Sequence, residues 1–490
     1  MVTLEKSETK ETDADPEAIQ DGGLAAGVIT AREALFQAVS HLGPAAGIII
    51  LAPVIAGLVG ASSPLLLIAA MVAVLLTGLC VVSLARKLPS AGGYYTYVSN
   101  SLGGRAGFVT SWSYLLYDPP QPAFILLATG GILQPVIEQQ LGITIPWWLL
   151  TLVLIAIVTA LTLLGAKLSA RATVLLGLFE TVVIVAYAVA VLIHTGHVSA
   201  EPFAFPHVDS QQSLFLAFAF SVLLFTGFES AAPLAEETVA PRKVIPRVVM
   251  LSILLVGAVW VFVDYALVMG WGIDKATGIA DEPSPFFTLA NVVAPWLWIL
   301  VAFALLNSAL AISLAGVNAG SRVMYALGRA GLFPKSFGRT HTKWQTPWTA
   351  ILATAAFNAV LAIGVGVWLG PVPGAAFIGL IITLGVIVVY VLGNLSVPVL
   401  YWKRYRPEWN IVRHGVIPAV ATAILLLGLY YSLVPIPLYP NNIVLFFVAG
   451  WLVLGVVIAT TLWRTHKAEF ESAGAVMFSG DNAGEEGKDD

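Results

Sequence analysis

The sequence predicts an all-α integral membrane protein with twelve transmembrane helices. Three observations carry that reading. Of 490 residues, 58% are hydrophobic and 11% charged, with a mean hydropathy of +0.88, well outside the range of a water-soluble chain. Runs of roughly 20 apolar residues recur along the whole length, each long enough at about 1.5 Å per residue to cross a hydrocarbon layer of about 30 Å. Lys and Arg fall almost wholly in alternate connections, the bias that marks cytoplasmic loops.

The helices are expected at about 31–59, 63–86, 105–136, 146–165, 168–194, 212–237, 245–271, 293–328, 347–369, 374–402, 414–434 and 442–464. The first is interrupted by "SHLGPAAGIII", residues 40–50, where Pro44 removes a donor and crowds the preceding turn. The second ends at Arg86 and Lys87. The third holds Asp118 beside Pro119 and Pro120, and the fourth runs into a loop with Lys167 and Arg171. The fifth carries Glu180. The sixth sets Gly227 between Phe225 and Phe228 and leads to Arg242 and Lys243, and the seventh contains Asp264, expected in its outer third and within reach of water. Arg322, Arg329, Lys335, Arg339 and Lys343 join the eighth to the ninth. Lys403, Arg404, Arg406 and Arg413 join the tenth to the eleventh, whereas the opposite loops hold Lys275 alone. Both termini are therefore expected in the cytoplasm, with the plasma or inner membrane as the location.

Half of the 28 acidic residues lie in two tails, residues 1–27 and 467–490, so the net charge of −4 says little about partners. Both tails are expected to be disordered and solvated. The single cysteine, Cys80, excludes an internal disulfide framework, and no cleavable leader is expected ahead of the first apolar run.

Ionisable groups at bilayer depth are the place to look for function, because a charge there costs at least about 2.5 kcal/mol. Asp118, Glu180, Glu229 and Asp264 meet that test; no Lys or Arg does. Buried acids without basic partners point to a cationic visitor, whether a proton, a metal ion or an amino group. Gly227 lets the backbone of helix 6 leave helical geometry, as Gly43 and Pro44 do in helix 1. Paired interruptions in corresponding helices of two halves are the sequence pointer to a transporter site at the midplane.

Three segments make the reading specific: "LPSAGGYYTYVSNSLGGRAGF", "FTGFESAAPLAEETVAPRKVIPR" and "NAGSRVMYALGRAGLFPKSFGRTHTKWQTPWTA". In collinear order they resemble the helix 2–3 connection, the helix 6 signature and the helix 8–9 connection of the amino acid-polyamine-organocation superfamily, the amino acid permeases. The resemblance runs from about residue 30 to 402 and implies a LeuT-type fold, in which helices 1–5 and 6–10 are inverted repeats. It divides the chain into a ten-helix core, 28–402, and helices 11 and 12, 403–466. It also implies alternating access to a substrate held by the broken parts of helices 1 and 6.

On that basis the substrate-binding candidates are His41, Gly43, Pro44, Ala45, Ala46 and Gly47 from helix 1, and Leu223, Leu224, Phe225, Thr226, Gly227 and Phe228 from helix 6. Amides of Ala45, Ala46 and Gly47 are expected to face a carboxylate at the positive end of the helix dipole. Carbonyls around Leu223, Leu224 and Thr226 are expected to face an amino group, with Phe225 or Phe228 covering the ligand. Family members often open the first break with a Gly-Ser-Gly or Gly-Ala-Gly run, where this chain has His41-Leu42-Gly43-Pro44. Proton-coupled relatives often carry a lysine in helix 5 where "GAKLSARATVLLGLFETVV" aligns Glu180.

Glu180 is thus the candidate coupling residue, able to take up a proton or a metal ion; the competing reading is a structural glutamate bonded to Ser308 or Ser313. Asp118 is read either as a partner for a cationic substrate group or as a cap for amides freed by its prolines. Glu229 is read as holding the helix 6 break together. Glu236 and Glu237 are expected to pair with Arg242, Lys243 or Arg247 at the inner surface. There is no phosphate loop, no metal constellation of Cys and His and no nucleophile elbow, so neither an enzyme nor a cofactor is expected. The basic residues follow topology, which leaves nucleic acid without support.

The expectation is a secondary active transporter importing an amino acid or close relative, coupled to a proton or alternatively to sodium. A polyamine or other organic-amine carrier and an exchanger are the alternatives within transport. A non-transporting nutrient sensor is the alternative of another class.

Overall fold

The computed structural model describes residues 29–89, 92–165, 170–204, 210–329, 334, 336–341, 344 and 346–465. The acidic tails expected at 1–27 and 467–490 lie outside the described residues, as do the side chains of Glu236 and Glu237. The described chain is helical, with no strand and one isolated bridge, where the Val239 amide donates to the Ile29 carbonyl at 3.0 Å.

Helix α1 (Ala31–Leu42) starts from a capping box, the Thr30 amide donating to Glu33 at 2.8 Å and the Glu33 amide to the Thr30 hydroxyl at 3.4 Å. It ends at Gly43, and Pro44 opens α2 (Pro44–Val59), with α3 (Ser63–Lys87) following after one 3-10 turn. A short helix α4 (Gly93–Leu102) leads to α5 (Gly104–Tyr114) and α6 (Gln121–Leu141). The single helix expected at 105–136 is therefore two helices, because Pro119 and Pro120 leave amides unavailable and force a turn between them. Next come α7 (Trp147–Leu163), α8 (Ala170–Thr195) and α9 (Gln211–Leu224); the segment expected to continue α9 to 237 is instead a tight 3-10 helix, Phe228–Glu237. The remainder comprises α10 (Pro241–Trp271), the short α11 (Pro285–Val293), α12 (Leu297–Arg329), α13 (Trp348–Leu369), α14 (Pro371–Arg404), α15 (Ile417–Leu433) and α16 (Asn441–Thr465).

Among the described residues, nine stretches are long and apolar enough to cross a membrane, the first being the 57-residue run Ala31–Lys87 that holds α1 to α3. This is a multi-pass membrane protein. Helix α10 lies along α3 and α8, while α14 lies along α6 and α15, so α2, α9 and the turn between α5 and α6 are enclosed by neighbours. The turn has room because Gly316 and Gly320 of α12 face it: a Cβ on Gly316 would stand 3.0 Å from the Asp118 carbonyl.

Helix α16 is fastened to α5 by two tryptophans. Trp112 and Trp451 stack at 4.6 Å, and each indole N–H donates to the other residue's carbonyl, at 2.8 and 3.0 Å. Gly455 leaves space for the Trp112 ring. Trp451→Ala should destabilise the purified protein by about 3 kcal/mol, read as earlier unfolding in detergent. An unchanged melt would mean that the clamp adds nothing to the attachment of α16.

Candidate functional site

The first interruption is set by one glycine. Gly43 has φ +66°, and a Cβ there would run into Ile312 and stand 3.0 Å from the Ser308 hydroxyl, both on α12. A side chain is excluded on both counts. Pro44 then starts α2 with no N–H to lose, and its carbonyl accepts from the buried Trp260 indole at 2.9 Å. The Ala45 and Ala46 amides find no acceptor among the described residues. The Gly47 amide, expected to be free as well, donates to the Gly43 carbonyl at 3.0 Å, because it is the first amide of α2 with a carbonyl four residues behind it.

The second interruption leaves the opposite polarity exposed. Helix α9 ends at Leu224, and Gly227 takes φ +107°. The Leu223 carbonyl, expected to await a ligand, is already filled by the Thr226 amide at 3.1 Å and the Thr226 hydroxyl at 2.7 Å. The tightened last turn causes this. The Leu224 and Thr226 carbonyls receive no donor among the described residues. Glu229 reaches back over the break, its Oε2 accepting from the Gly227 amide at 3.1 Å and the Tyr390 hydroxyl at 3.0 Å.

The two interruptions touch. A Cβ on Gly227 would collide with the His41 ring and stand 3.3 Å from the His41 carbonyl carbon. Beside this contact lies a cavity of about 20 Å³ lined by His41, Gly47, Gln121, Phe124, Leu224 and Thr226, among others, room for about one water. Neither Phe225 nor Phe228 lines it. Phe225 packs edge-on to Trp260 at 5.1 Å and Phe228 against Tyr390 at 5.4 Å, because α9 ends at Leu224 and Gly227, at φ +107°, turns the chain before Phe228. The aromatic wall is Phe124 of α6, which the sequence pattern did not single out. Gln121 was likewise missed; its side chain faces the His41 ring, although neither its Oε1 nor His41 Nε2 completes a hydrogen bond of good geometry.

Glu180 is fully buried, and its Oε2 accepts from Asn307 of α12 at 2.7 Å; the same Asn307 amide group reaches the Leu176 carbonyl at 3.3 Å. Ser308 faces Glu180 and also borders Gly43, so the acid connects to the first interruption through one residue. Ser313 lies five residues on, about 140° round the helix, and its hydroxyl has no partner. Asn307 was visible as an amide amid apolar residues, but nothing local ties it to Glu180, 127 residues away.

Among the described residues, Asp118 caps no backbone amide. In the first turn of α6 the freed Ala123 amide donates to Asn358 of α13 at 2.8 Å, and the Gln121 and Phe124 amides donate to the Asp118 and Pro120 carbonyls. The Asp118 carboxylate, 3% exposed, faces Tyr114 and lies near Glu229. Asp264, expected to reach water, has no exposed surface, and Ser63 is the polar side chain facing it. The packing of α10 along α3, whose first residue is Ser63, encloses it. Among the described residues the ion pair Lys87–Glu408 joins α3 to the segment after α14, and none of the four buried acids takes part in one.

The family profile described as amino acid permease matches residues 32–460. A low-affinity putrescine importer of Escherichia coli (strain K12) is 29% identical over 381 residues, 74% of this chain and 78% of the relative. A branched-chain amino acid permease of Bacillus subtilis (strain 168) is 24% identical over 418 residues, 81% of this chain and 85% of the relative. Asc-type amino acid transporter 1 of Mus musculus is 24% identical over 300 residues, 59% of this chain and 55% of the relative.

Gly227→Ala combines a strained φ with a methyl group pressed into His41. It should cost about 1–3 kcal/mol in a thermal melt, and a variant as stable as the parent would show that the two interruptions can separate freely.

Proposed function

Because the chain belongs to the amino acid permease family, we propose that it is a secondary transporter, importing an amino acid or closely related amine by alternating access across the cell membrane. One observation carries this: two amides at the start of α2 and two carbonyls at the end of α9, without partners among the described residues, belong to interruptions that meet at one small cavity. Amides with the positive end of a helix dipole suit a carboxylate, and carbonyls suit an ammonium group. A ligand with both ends replaces the partners that these groups lack. Gly47 lets Leu224 and Trp260 pack close, at 3.1 and 3.2 Å from where its Cβ would be, so a larger residue there would push into the lining of the cavity.

Glu180 is the coupling group in this reading. A proton taken up there neutralises a carboxylate held by Asn307 and Ser308 against the first interruption, and its release frees α1 and α2 to rearrange. The twelve-helix count, the inverted repeats of the 28–402 core and cytoplasmic termini belong to the same proposal, supported by paired interruptions and the charge bias of the loops. Amines without a carboxylate form a second reading, favoured by the uncompensated Asp118 beside Glu229.

Purified protein is screened by thermal shift against amino acids, γ-aminobutyrate, ethanolamine, putrescine and spermidine at pH 5.5 and 7.5, with and without sodium. Stabilisation by zwitterions supports the carboxylate site, stabilisation by amines alone moves the function to amine transport, and no response to either class sinks both. Glu180→Gln should abolish pH-driven accumulation in vesicles while counterflow exchange persists; equal loss of both would remove it from coupling. Gly47→Leu should weaken carboxylate ligands at least about tenfold by displacing Leu224 and Trp260 from the cavity wall; unaltered affinity would place the carboxylate elsewhere.

A further inference from the structure

Away from the interruptions, we infer a binding site for the headgroup of an anionic phospholipid, formed where α14 leaves the membrane and α15 enters it. Arg404, Arg406 and Arg413 meet the phosphate, and Trp402 and Trp409 lie at the boundary between headgroup and acyl chains. The site concerns the bilayer around the protein and is independent of the substrate within it.

The first ground is uncompensated charge. Residues 402–416 carry Lys403, Arg404, Arg406 and Arg413 against a single acid, Glu408. That acid is already engaged: it pairs with Lys87 of α3 at 2.5 Å, and the Lys87 ammonium lies 4.5 Å from the centre of the Tyr405 ring. The four cations of the connection are all exposed, and among the described residues none of them takes part in an ion pair. Clusters of four or more Lys and Arg beside a membrane span attract anionic lipid, each residue adding about fivefold in affinity.

The second ground is the apolar surface beside that charge. Trp402 is 54% exposed, Ile411 69% and Val412 54%. Val412, Val416 and Val420, all exposed, recur every four residues, so an apolar stripe runs from beside Arg413 along α15. The Arg406 guanidinium stands 4.7 Å from the centre of the Trp402 ring, and Trp402 meets Trp409 edge-on at 5.4 Å. Such indoles settle at headgroup level, with the ring toward the acyl chains and the N–H toward water. A soluble anion meets the cations and leaves the stripe uncovered. A zwitterionic lipid covers the stripe but brings its own cation to the arginines, whereas a lipid of net negative charge suits both surfaces.

The third ground is a fixed frame. The Trp409 amide donates to the Arg406 carbonyl at 3.1 Å, which closes one tight turn between them. The Asn410 side-chain oxygen accepts from the Val412 and Arg413 amides at 3.0 Å each, and the Asn410 amide donates to His414 Nδ1 at 3.0 Å. His414 stacks on Tyr401 at 3.6 Å, and the Tyr401 hydroxyl donates to the Ser83 carbonyl of α3 at 3.1 Å. Trp409 and Ile411 close over Gly415, at 3.7 and 3.8 Å from where its Cβ would be. The backbone that carries Arg406 and Arg413 is thus ordered before a lipid arrives, which lowers the cost of binding one.

The test measures tryptophan quenching in the full-length protein, reconstituted in phosphatidylcholine vesicles that contain a minority of brominated phosphatidylglycerol. Parallel vesicles contain brominated phosphatidylcholine with the same chains. In the parent, phosphatidylglycerol should quench at a concentration at least about fivefold lower. Trp402→Phe with Trp409→Phe should remove that excess, and Arg406→Gln with Arg413→Gln should bring the two lipids within about twofold of each other. Lys275→Gln, in the connection after α10, should leave the ratio unchanged. If the arginine pair does not fold, Lys403→Gln with Arg404→Gln decides by the same ratio. Equal quenching by both lipids in the parent overturns the site, as does an excess that survives loss of the cations or of the two indoles. Displacement of phosphatidylglycerol by soluble glycerol 3-phosphate would give the cations to a free anion and overturns it too.

Discussion

A backbone amide or carbonyl in the middle of a bilayer has no water to fall back on, so each place where a helix is interrupted must be answered by another group. Three side chains give most of that answer here. Trp260 fills the Pro44 carbonyl, Glu229 fills the Gly227 amide and Asn358 fills the Ala123 amide. Each reaches across from a different helix or turns back over its own break, which fixes the interruptions against one another. Among the described residues, the groups that these three do not answer include the Ala45 and Ala46 amides and the Leu224 and Thr226 carbonyls. The polarity of those leftovers is the simplest physical description of the site.

The same logic sorts the buried acids. Glu180 has a neutral amide donor and a serine beside it, an arrangement that holds one carboxyl group in place whether or not it carries a proton. Asp118 and Glu229 instead share a neighbourhood with tyrosines and with each other. A lone acid beside the first interruption and a pair of acids near the second ask for different partners. Asp264, closed off between α10 and the start of α3 with Ser63, belongs to neither group.

Much of this architecture is legible in the chain. Gly43, Gly227 and the Asp118-Pro119-Pro120 turn announce themselves because glycine and proline act on the backbone locally. The partners do not. Asn307, Tyr390 and Trp260 stand 127, 161 and 216 residues from the groups they bond, and each looks in sequence like an ordinary polar or aromatic residue of an apolar helix. The free amides and carbonyls were also overcounted at Gly47 and Leu223, since a single tight turn decides which groups are spent internally. Phe225 and Phe228, conspicuous beside Gly227, turned out to serve packing with Trp260 and Tyr390, while Phe124 from another helix faces the cavity.

The Trp112–Trp451 pair carries a consequence for how the chain comes to exist at all. Its two members are 339 residues apart, so α5 is made and inserted long before its partner leaves the ribosome. During that interval the surface of α5 that meets α16 is without its neighbour, and the Trp112 indole lacks the carbonyl that it later engages. Arrival of the last helix covers that surface and pairs two indoles with two carbonyls in a single step. The molecule is thereby completed from its C-terminal end, and a chain interrupted before Trp451 keeps an unfinished seam that distinguishes it from the full-length protein.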